Sequence, residues 1–473
     1  MATLTLTVGV MVLTLASFLV VGVYYGRRNL GGVEDFLAAR GSTGVSLGLA
    51  TFIAYAAGSG LLFSPPESGA RLGIAAVIGY GVAIATPFVL YLTVAPKIRE
   101  RMPQGHTVVE YARARYGRPM YLLTLFVALF YMFILMTANL TGVALAIQAI
   151  AGVPLLVTLT LVGGVVMLYT VQGGLLSSIF TDLVQTLILV PLLVGTAVVA
   201  VFRLGGPAEL LTRMQATTPT AVSLTNPAGV RFAVYIVIAL VGAEMLNQSL
   251  WQRAHAARDT RSLRLSLAGA TVAVVPMTIL AGLYGVIASG LGMDFASPSA
   301  ALPTVVQATF GTGLQLVFVV LVLLVIASTL DNALSAIVSI LAVDVVPLFD
   351  ADRSGPELLR VARILTVVIA VVGVAIAATG PSVLFLLLRA DLLASATVGP
   401  ILIGLYTSRL GGTAAFTAAV LGIVAGVPWF LASNYLYSFG GALLVSNAVA
   451  VGWLLARPAD FSFDELTDLE SLE

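Results

Sequence analysis

Oxygen-bearing side chains stand inside long apolar stretches of this sequence. In IASTLDNALSA, Ser328 and Thr329 precede Asp331 and Asn332, and about 100° per helical residue places 328, 331 and 332 on one face. In GGLLSSIFTDLVQ, Asp182 lies within another apolar stretch. Hydroxyl, carboxylate and amide oxygens together suit a hard cation, so we predict a cation site. The alternatives are an ion pair between Asp182 and a neighbouring arginine, and hydroxyls bonded only to the preceding helical turn.

Two other apolar stretches are interrupted by residues that break helices or carry polar groups. AYAAGSGLLFSPPESG contains three glycines and two adjacent prolines, and VGAEMLNQSLWQR contains a glutamate, an asparagine and a glutamine. We predict helix breaks near Gly58 to Pro66 and near Gly242 to Asn247. Broken helices at membrane depth line cavities and offer carbonyls and helix ends to ions, although small residues also permit close helix packing. Two interruptions at matching places suggest an inverted repeat.

A solute bound at the bilayer midplane would lie between these two interrupted stretches. Its candidate contacts are Tyr55, Ser59, Asn139, Glu244, Asn247, Arg389 and Asp391. Arg389 and Asp391 lie deep in LFLLLRADLLASA, where an unpaired charge is costly, and Glu244 could neutralise Arg389. A structural ion pair or an outer gate is the alternative to direct solute contact.

The composition indicates that these residues are positioned by helices that cross a membrane. Hydrophobic residues make up 59% and charged residues 10% of the 473, against about 25% charge in ordinary soluble proteins. Only helices and closed barrels span lipid, and apolar runs that are continuous rather than alternating indicate helices. We predict thirteen spans, near residues 4–25, 45–72, 74–96, 119–150, 153–171, 175–203, 228–251, 262–290, 313–346, 360–379, 382–406, 412–432 and 438–456.

Several function classes do not fit this sequence. The net charge of +1 argues against a nucleic-acid partner, and the absence of cysteine removes disulfides, thiolate metal sites and cysteine nucleophiles. His106 and His255 lie beside basic loops and no nucleophile has a positioned base, so we do not expect an enzyme. A channel would need a continuous polar pore, whereas the polar residues here gather near one level.

Basic residues predict the orientation in the membrane, because cytoplasmic loops carry an excess of them. Those assigned to the cytoplasmic side are Arg27, Arg28, Arg40, Lys97, Arg99, Arg101, Arg113, Arg115, Arg118, Arg253, Arg258, Arg261, Arg264, Arg353, Arg360, Arg363, Arg409 and Arg457. The other side keeps chiefly Arg71, Arg203 and Arg213. The amino terminus is therefore predicted outside and the carboxyl terminus inside, with an acidic, disordered tail over residues 457–473.

The chain as a whole resembles the sodium:solute symporter family, which includes sodium-coupled proline, sugar, sialic-acid, pantothenate and urea transporters. The resemblance rests on GGLLSSIFTDLVQ, on the serine–threonine pair of IASTLDNALSA, on NQSLWQRAHAARD and on the thirteen spans. It implies an all-α polytopic fold of the leucine-transporter type, in which residues 45–203 and 226–407 form inverted five-helix repeats. Residues 1–44 would add one span and an amphipathic loop, residues 411–456 two further spans, and residues 457–473 the tail.

The resemblance also implies ion ligands. A sodium ion would be held by carbonyls of the broken second span and of the ninth span and by two hydroxyls, which here belong to Ala54, Ala57, Val325, Ser328 and Thr329. Asp182 matches an aspartate on the family's inner sodium path. Some members hold a second sodium there with serines, where this chain has Asp331 and Asn332. The two carboxylates could hold a second cation, or one of them could carry a proton.

These observations predict a secondary active transporter that couples sodium, its cofactor, to the uptake of a small polar solute by alternating access. The segment PQGHTVVEYARARYG resembles the corresponding loop of urea-type members and favours an amide- or amine-like solute. Proton coupling, or a carboxylate or amino-acid solute clamped by Arg389, is an alternative within this class. A transporter-like membrane sensor is the alternative outside it. We expect a multi-pass protein of the inner (plasma) membrane.

Overall fold

The computed structural model describes residues 2–29, 32–295, 297–349 and 355–467, which are helical apart from turns, short connections and one isolated bridge between Thr43 and Ala257. The first helices are α1 (Ala2–Asn29), α2 (Val33–Leu37), α3 (Val45–Ala56), α4 (Ser59–Leu62), α5 (Ser64–Leu72), α6 (Ile74–Arg101), α7 (Val108–Tyr116), α8 (Arg118–Ala151), α9 (Leu155–Arg203) and α10 (Pro207–Thr217). The others are α11 (Pro227–Met245), α12 (Gln248–Ala256), α13 (Thr260–Gly290), α14 (Ala301–Thr309), α15 (Thr312–Ile340), α16 (Val346–Phe349), α17 (Gly355–Ala377), α18 (Val383–Tyr406), α19 (Gly412–Leu431), α20 (Tyr435–Ala456) and α21 (Asp464–Thr467). Arg353, one of the predicted cytoplasmic residues, lies outside the described residues.

The described residues form eleven helices that are long and apolar enough to cross a membrane, or twelve if the bent pair α3 and α4–α5 is one span. This helical architecture confirms the predicted class. The thirteen predicted stretches do not map one to one onto these helices, because the fifth and sixth both lie in α9, which runs for 49 residues. At about 1.5 Å per residue, a straight helix of that length would far exceed a hydrocarbon layer of roughly 30 Å.

Gly174 interrupts α9 between the fifth and sixth predicted stretches. Its φ of 56° and ψ of −157° are not helical, and glycine adopts this conformation without the steric cost of a side chain. There is also no room for a side chain at this position, because a Cβ would lie 2.6 Å from the carbonyl oxygen of Phe36. The position therefore requires glycine for both its backbone angles and its contact with α2.

The second apolar stretch is broken, as predicted, and the helices on either side are bent by 61°. The break lies at Ala57 and Gly58, at the amino-terminal edge of the predicted region. Pro65 and Pro66 do not form it. They occupy the first turn of α5, where a missing backbone N–H leaves no intrahelical hydrogen bond unmade.

The seventh apolar stretch is also broken within its predicted region. Helix α11 ends at Met245, and α12 begins at Gln248 after Leu246 and Asn247. The side chain of Asn247 caps α12 by accepting a hydrogen bond from the backbone N–H of Ser249 at 2.9 Å. The cap explains why the chain restarts as a helix immediately after the break.

Helix α15 lies at the centre of the molecule. Every residue from Leu321 to Ile340 is buried, and the helix packs on α8 and α9. The outer faces of other helices are apolar instead, with Leu13 71%, Val272 76% and Leu455 76% exposed. Exposed leucine and valine on many helices are expected when lipid, rather than water, surrounds the protein.

The described part of the carboxyl-terminal tail is ordered by contacts with α6 and α7. The guanidinium of Arg101 lies 3.4 Å from the ring centroid of Phe463, and Leu466 is fully buried. The prediction of disorder is therefore wrong for this part, because cation–π stacking and apolar burial outweigh its acidic composition. Residues 468–473 lie outside the described residues.

Candidate solute and ion sites

A cavity of about 50 Å³ lies between the two broken stretches, with α8 and α18 beside it. Its apolar wall includes four aromatic rings, and its polar wall includes hydroxyl, amide and carboxylate groups. The aromatic and polar residues that line it are Tyr55, Ser59, Tyr80, Phe88, Tyr131, Glu244, Ser249, Thr329, Asn332 and Asp391. Four of the seven predicted solute contacts therefore line one cavity.

Glu244 is hydrogen-bonded to three neutral side chains in this cavity. Tyr131 donates to its Oε1 at 3.0 Å, and Asn247 donates to its Oε2 at 3.0 Å. Tyr55 donates to the same Oε2 and accepts from Asn247. The carboxylate is thus joined to both broken stretches and to α8, and a change in its partners would move all three.

Asp391 lies on the opposite wall and is only 1% exposed. Its Oδ2 has no hydrogen-bond partner among the described residues, and the same is true of the hydroxyl of buried Ser59. Arg389 does not neutralise either acid. Its side chain is exposed, it is not among the described residues that line the cavity, and the described ion pairs do not join it to Glu244. The two residues separate because positions 389 and 391 on one helix point about 200° apart.

Asn139 connects the solute cavity to the serine–threonine pair without lining the cavity itself. Its Oδ1 accepts from the backbone N–H of Ser59 at 2.9 Å and from the hydroxyl of Thr329 at 2.9 Å. Because Ser59 begins α4, this amide satisfies one of the free N–H groups of the broken helix. Asn139 therefore holds α8, the break and α15 in register.

The broken stretch passes directly against Thr329, one of the predicted sodium ligands. A Cβ on Gly58 would lie 2.4 Å from the Thr329 hydroxyl, so only glycine permits this approach. The Thr329 hydroxyl also contacts the carbonyl oxygen of Val325 at 3.0 Å. Ala54 and Ala57 are buried in the last turn of α3, and the Ala57 N–H donates to the Ala54 carbonyl at 3.1 Å. Each carbonyl retains a second lone pair, so hydroxyl and carbonyl oxygens here are chemically suited to sodium.

Ser328 points away from Thr329 and towards Asp182. Its hydroxyl donates to Asp182 Oδ1 at 2.6 Å, while Thr51 donates to Oδ2. Arg253 completes the environment of this buried carboxylate, with its guanidinium Nη2 2.9 Å from Oδ2. The arginine pair left open by the sequence is therefore formed.

Arg253 is not a loop residue, contrary to the prediction from charge distribution. It belongs to α12 and is 1% exposed. Every residue of α12 is buried, and Arg253 reaches the carboxylate on α9 from this helix. Arg253 also donates to Oδ1 of Asn332, so a protein cation occupies the space between two of the groups expected to hold a second cation.

Asp331, the other predicted ligand, is held by hydroxyl groups. Ser178 donates to its Oδ1 at 2.8 Å, and Tyr169 and Thr181 donate to its Oδ2 at 2.8 and 3.2 Å. Ser178 also contacts Oδ1 of Asn332 at 2.6 Å. All three donors come from α9, so Asp331 fastens α15 to that helix on the side away from the solute cavity.

Sequence reasoning missed Tyr80, Phe88 and Tyr131 as cavity residues. Aromatic residues occur throughout membrane helices, and nothing local distinguishes those that face a cavity. Tyr131 lies on α8, eight residues before Asn139, and about two helical turns separate these positions. A search for polar tips on the helix face that carries Asn139 would have found it.

Comparison with known proteins identifies the family of this chain. The model of the sodium:solute symporter family matches residues 36–422. A urea-proton symporter from Oryza sativa subsp. japonica is 23% identical over 85% of this chain and 64% of its own length, so the chain spans less than two thirds of that relative. A spermidine transporter from Candida albicans is 25% identical over 79% of this chain and 70% of its own length.

A solved structure of a sodium-coupled sialic acid symporter matches with a TM-score of 0.79 and 17% identity, covering 96% of this chain and 99% of that one. At this identity the likeness shows the fold, which is the leucine-transporter type that the sequence predicts. The family match covers most of the chain, and the described helices include at least eleven that could cross a membrane. This protein therefore belongs to the sodium:solute symporter family and is a multi-pass membrane transporter rather than an enzyme.

Proposed function

We propose that this protein couples the inward movement of sodium to the uptake of a small polar solute by alternating access. The observation that carries the proposal is the contact between Gly58 and Thr329, which places the broken stretch and the serine–threonine pair beside the solute cavity. An ion bound to both α15 and the carbonyls of α3 would fix the break in one geometry. Because the same break lines the cavity, ion binding would also shape the solute site.

We further propose thirteen spans, counting α9 twice at Gly174 and each broken stretch once. Residues 45–203 and 226–407 would then be inverted five-helix repeats, with an outside amino terminus, an inside carboxyl terminus and a location in the plasma membrane. The breaks at Ala57–Gly58 and Leu246–Asn247 support this division, since they fall in the first span of each proposed repeat.

The sodium ligands in this proposal are Ala54, Ala57, Val325, Ser328 and Thr329. A second cation at Asp182, Asp331 and Asn332 would have to displace the guanidinium of Arg253 from Asp182 and Asn332. We therefore favour one sodium ion per cycle, which predicts a Hill coefficient near one for sodium.

Proton coupling is the second candidate. It is supported by the complete burial of Asp331, which belongs to none of the described ion pairs, and by the resemblance to a urea-proton symporter. The names of the relatives, urea-proton symporter and spermidine transporter, support an amide- or amine-like solute. A carboxylate clamped by Arg389 is disfavoured by the exposure of that side chain.

The test begins with equilibrium binding of radioactive sodium to the purified protein, which requires no knowledge of the solute. We expect saturable binding that falls about tenfold or more in Ser328→Ala/Thr329→Ala, because two of the ligand groups are removed. A panel of amides, amines and short carboxylates is then screened for uptake in proteoliposomes, with sodium replaced by choline at fixed pH. Uptake that persists in choline and follows a pH gradient would show that the solute is coupled to protons and not to sodium.

A further inference from the structure

The solute cavity carries two acidic side chains, and no residue of the opposite charge is among its described lining residues. Glu244 and Asp391 both line it, and the described lining residues include no lysine, arginine or histidine. The hydrogen-bond donors to Glu244 are all neutral. The guanidinium of Arg253 lies 5.5 Å from the ring centroid of Tyr55, outside the lining, and its charge is taken by Asp182. The cavity itself is therefore acidic.

Three lining groups also lack hydrogen-bond partners among the described residues. Asp391, Ser59 and Asn332 are all buried, yet Oδ2 of Asp391, Oγ of Ser59 and Nδ2 of Asn332 have no partner there. A buried polar atom left in this state costs free energy, and a bound molecule with N–H groups would remove that cost. Oδ2 of Asp391 and Oγ of Ser59 can both accept from an N–H group, whereas Nδ2 of Asn332 needs an acceptor.

The remaining walls and the size of the cavity restrict the ligand further. Tyr55, Tyr80, Phe88 and Tyr131 contribute aromatic rings, and ring faces attract cations. A volume of about 50 Å³ holds roughly four groups of the size of water. The site therefore suits a compact ligand.

We infer that the transported solute is a small organic cation with N–H donors, of the size and shape of an amidinium ion. This inference rests on the proposed function, which makes the cavity the transport site. A cation would supply the charge that the two buried acids need in order to ionise, whereas a neutral amide would not, and a carboxylate solute would be repelled by the ionised acids.

Acetamidinium, acetamide and acetate test this directly, because the three have the same shape and differ in charge. Each is titrated into the purified protein in detergent by calorimetry, at constant sodium and neutral pH. We expect acetamidinium to bind about tenfold or more tightly than acetamide, and acetate not to bind. Tetramethylammonium, a cation without N–H groups, is expected to bind about tenfold more weakly than acetamidinium.

Variants of cavity residues test whether the preference for acetamidinium over acetamide arises in the cavity. Asp391→Asn is expected to weaken acetamidinium about tenfold while changing acetamide less than about threefold, and Ser59→Ala to weaken acetamidinium by a smaller factor. Glu357→Gln removes an exposed carboxylate outside the cavity and should change the affinity for neither ligand. If Asp391→Asn fails to elute as a monodisperse protein, Glu244→Gln replaces it with the same expected selectivity.

Acetamide binding as tightly as acetamidinium, measurable acetate binding, or equal binding of tetramethylammonium would overturn the inference. These outcomes are separate from a failure of the proposed function. Calorimetry at constant sodium requires no gradient, so acetamidinium selectivity can stand when sodium coupling fails. Conversely, sodium-driven uptake of acetamide alone would retain the coupling and reject the organic cation.

Discussion

The guanidinium of Arg253 sits in the interior of the molecule between Asp182 and Asn332. A buried ion pair gains its attraction against a desolvation cost of several kcal/mol for each ion, so the net contribution of the pair to stability is small. Removing one partner is different, since it leaves the other charge buried without compensation. The pair therefore holds α12 against α9 mainly by making every partial separation costly.

Arg253→Gln should destabilise the protein by about 3–5 kcal/mol, because Asp182 would remain buried and unpaired. The double variant Asp182→Asn/Arg253→Gln should recover a large part of that loss. Unfolding in detergent, followed by tryptophan fluorescence, measures both changes. As a control, Arg258→Gln breaks a pair whose side chains are 69% and 46% exposed and should cost under about 1 kcal/mol. A double variant whose loss equals the sum of the single losses would mean that the two charges do not interact.

The break between α3 and α4 acts as a structural unit because it lies directly against α15. Gly58 approaches Thr329 so closely that no side chain fits between them, whereas a Cβ on Gly60 would have its nearest contact at 4.0 Å, the Tyr80 hydroxyl. Two glycines in one break thus have different roles. Gly58 permits a close approach of the backbone to the Thr329 side chain, whereas Gly60 leaves open space in the lining of the cavity.

Gly58→Ala should reduce sodium binding about tenfold or more, because the added methyl group would push the Thr329 hydroxyl out of position. Gly60→Ala is the matched control and should change sodium binding less than about threefold. Equilibrium binding of radioactive sodium gives both values. If the two variants bind sodium equally, the ion does not lie at the contact between the break and α15.

The connection between α6 and α7 is fastened to three helices through His106. Its Nε2 lies 2.6 Å from Glu34 of α2, its backbone N–H donates to Glu110 of α7 at 2.7 Å, and its carbonyl accepts from Gln248 of α12 at 2.8 Å. Burial alone would lower the pKa of His106. The hydrogen bonds and charges of Glu110 and Glu34 outweigh it and raise the pKa to about 9.

A folded-state pKa above the ordinary value of about 6.5 means that protonated His106 stabilises the fold. This contribution, of order 3 kcal/mol, is fully present below about pH 6.5 and is lost as pH rises through about 9. The wild-type melting temperature should therefore fall between pH 7 and about pH 10. His106→Gln should melt lower at pH 6 and show a flatter pH profile. Parallel profiles for the two proteins would exclude His106 as the titrating group.

The molecule as a whole has the opposite distribution of side chains to a soluble protein. Its apolar side chains cover the periphery, and its polar side chains gather around α15. Most of the ionisable residues that are fully buried lie near the two broken stretches or α15. In lipid such residues are retained where they serve binding or helix contacts. The overall arrangement is thus an apolar shell around a polar centre at the level of the breaks.

The proposed thirteen spans, an odd number, would place the two termini on opposite sides of the membrane. The chain contains no cysteine, so single introduced cysteines can test the proposed orientation. Ala208 in α10 and Arg258 between α12 and α13 are both exposed. A membrane-impermeant maleimide applied to intact cells should label Ala208→Cys, which we place outside, and should label Arg258→Cys only after lysis. Labelling of Arg258→Cys alone in intact cells would invert the proposed orientation.

The sequence by itself determined the helical membrane class, the two broken stretches and the polar positions on α15. Each depends on the order of nearby residues: apolar length requires a span, glycine and polar residues interrupt one, and helical spacing places 328, 331 and 332 on one face. The family also followed from local motifs that remain recognisable without the fold.

Only the tertiary structure decided which charges meet. The sequence predicts Arg253 in a cytoplasmic loop and Arg389 deep in a span, but Arg253 is buried beside Asp182 and Arg389 is exposed. The tail likewise packs because Arg101 lies against Phe463, although the two residues are far apart in the sequence. Electrostatic pairing depends on distances between separate helices, and those distances are set by helix packing rather than by the local order of residues.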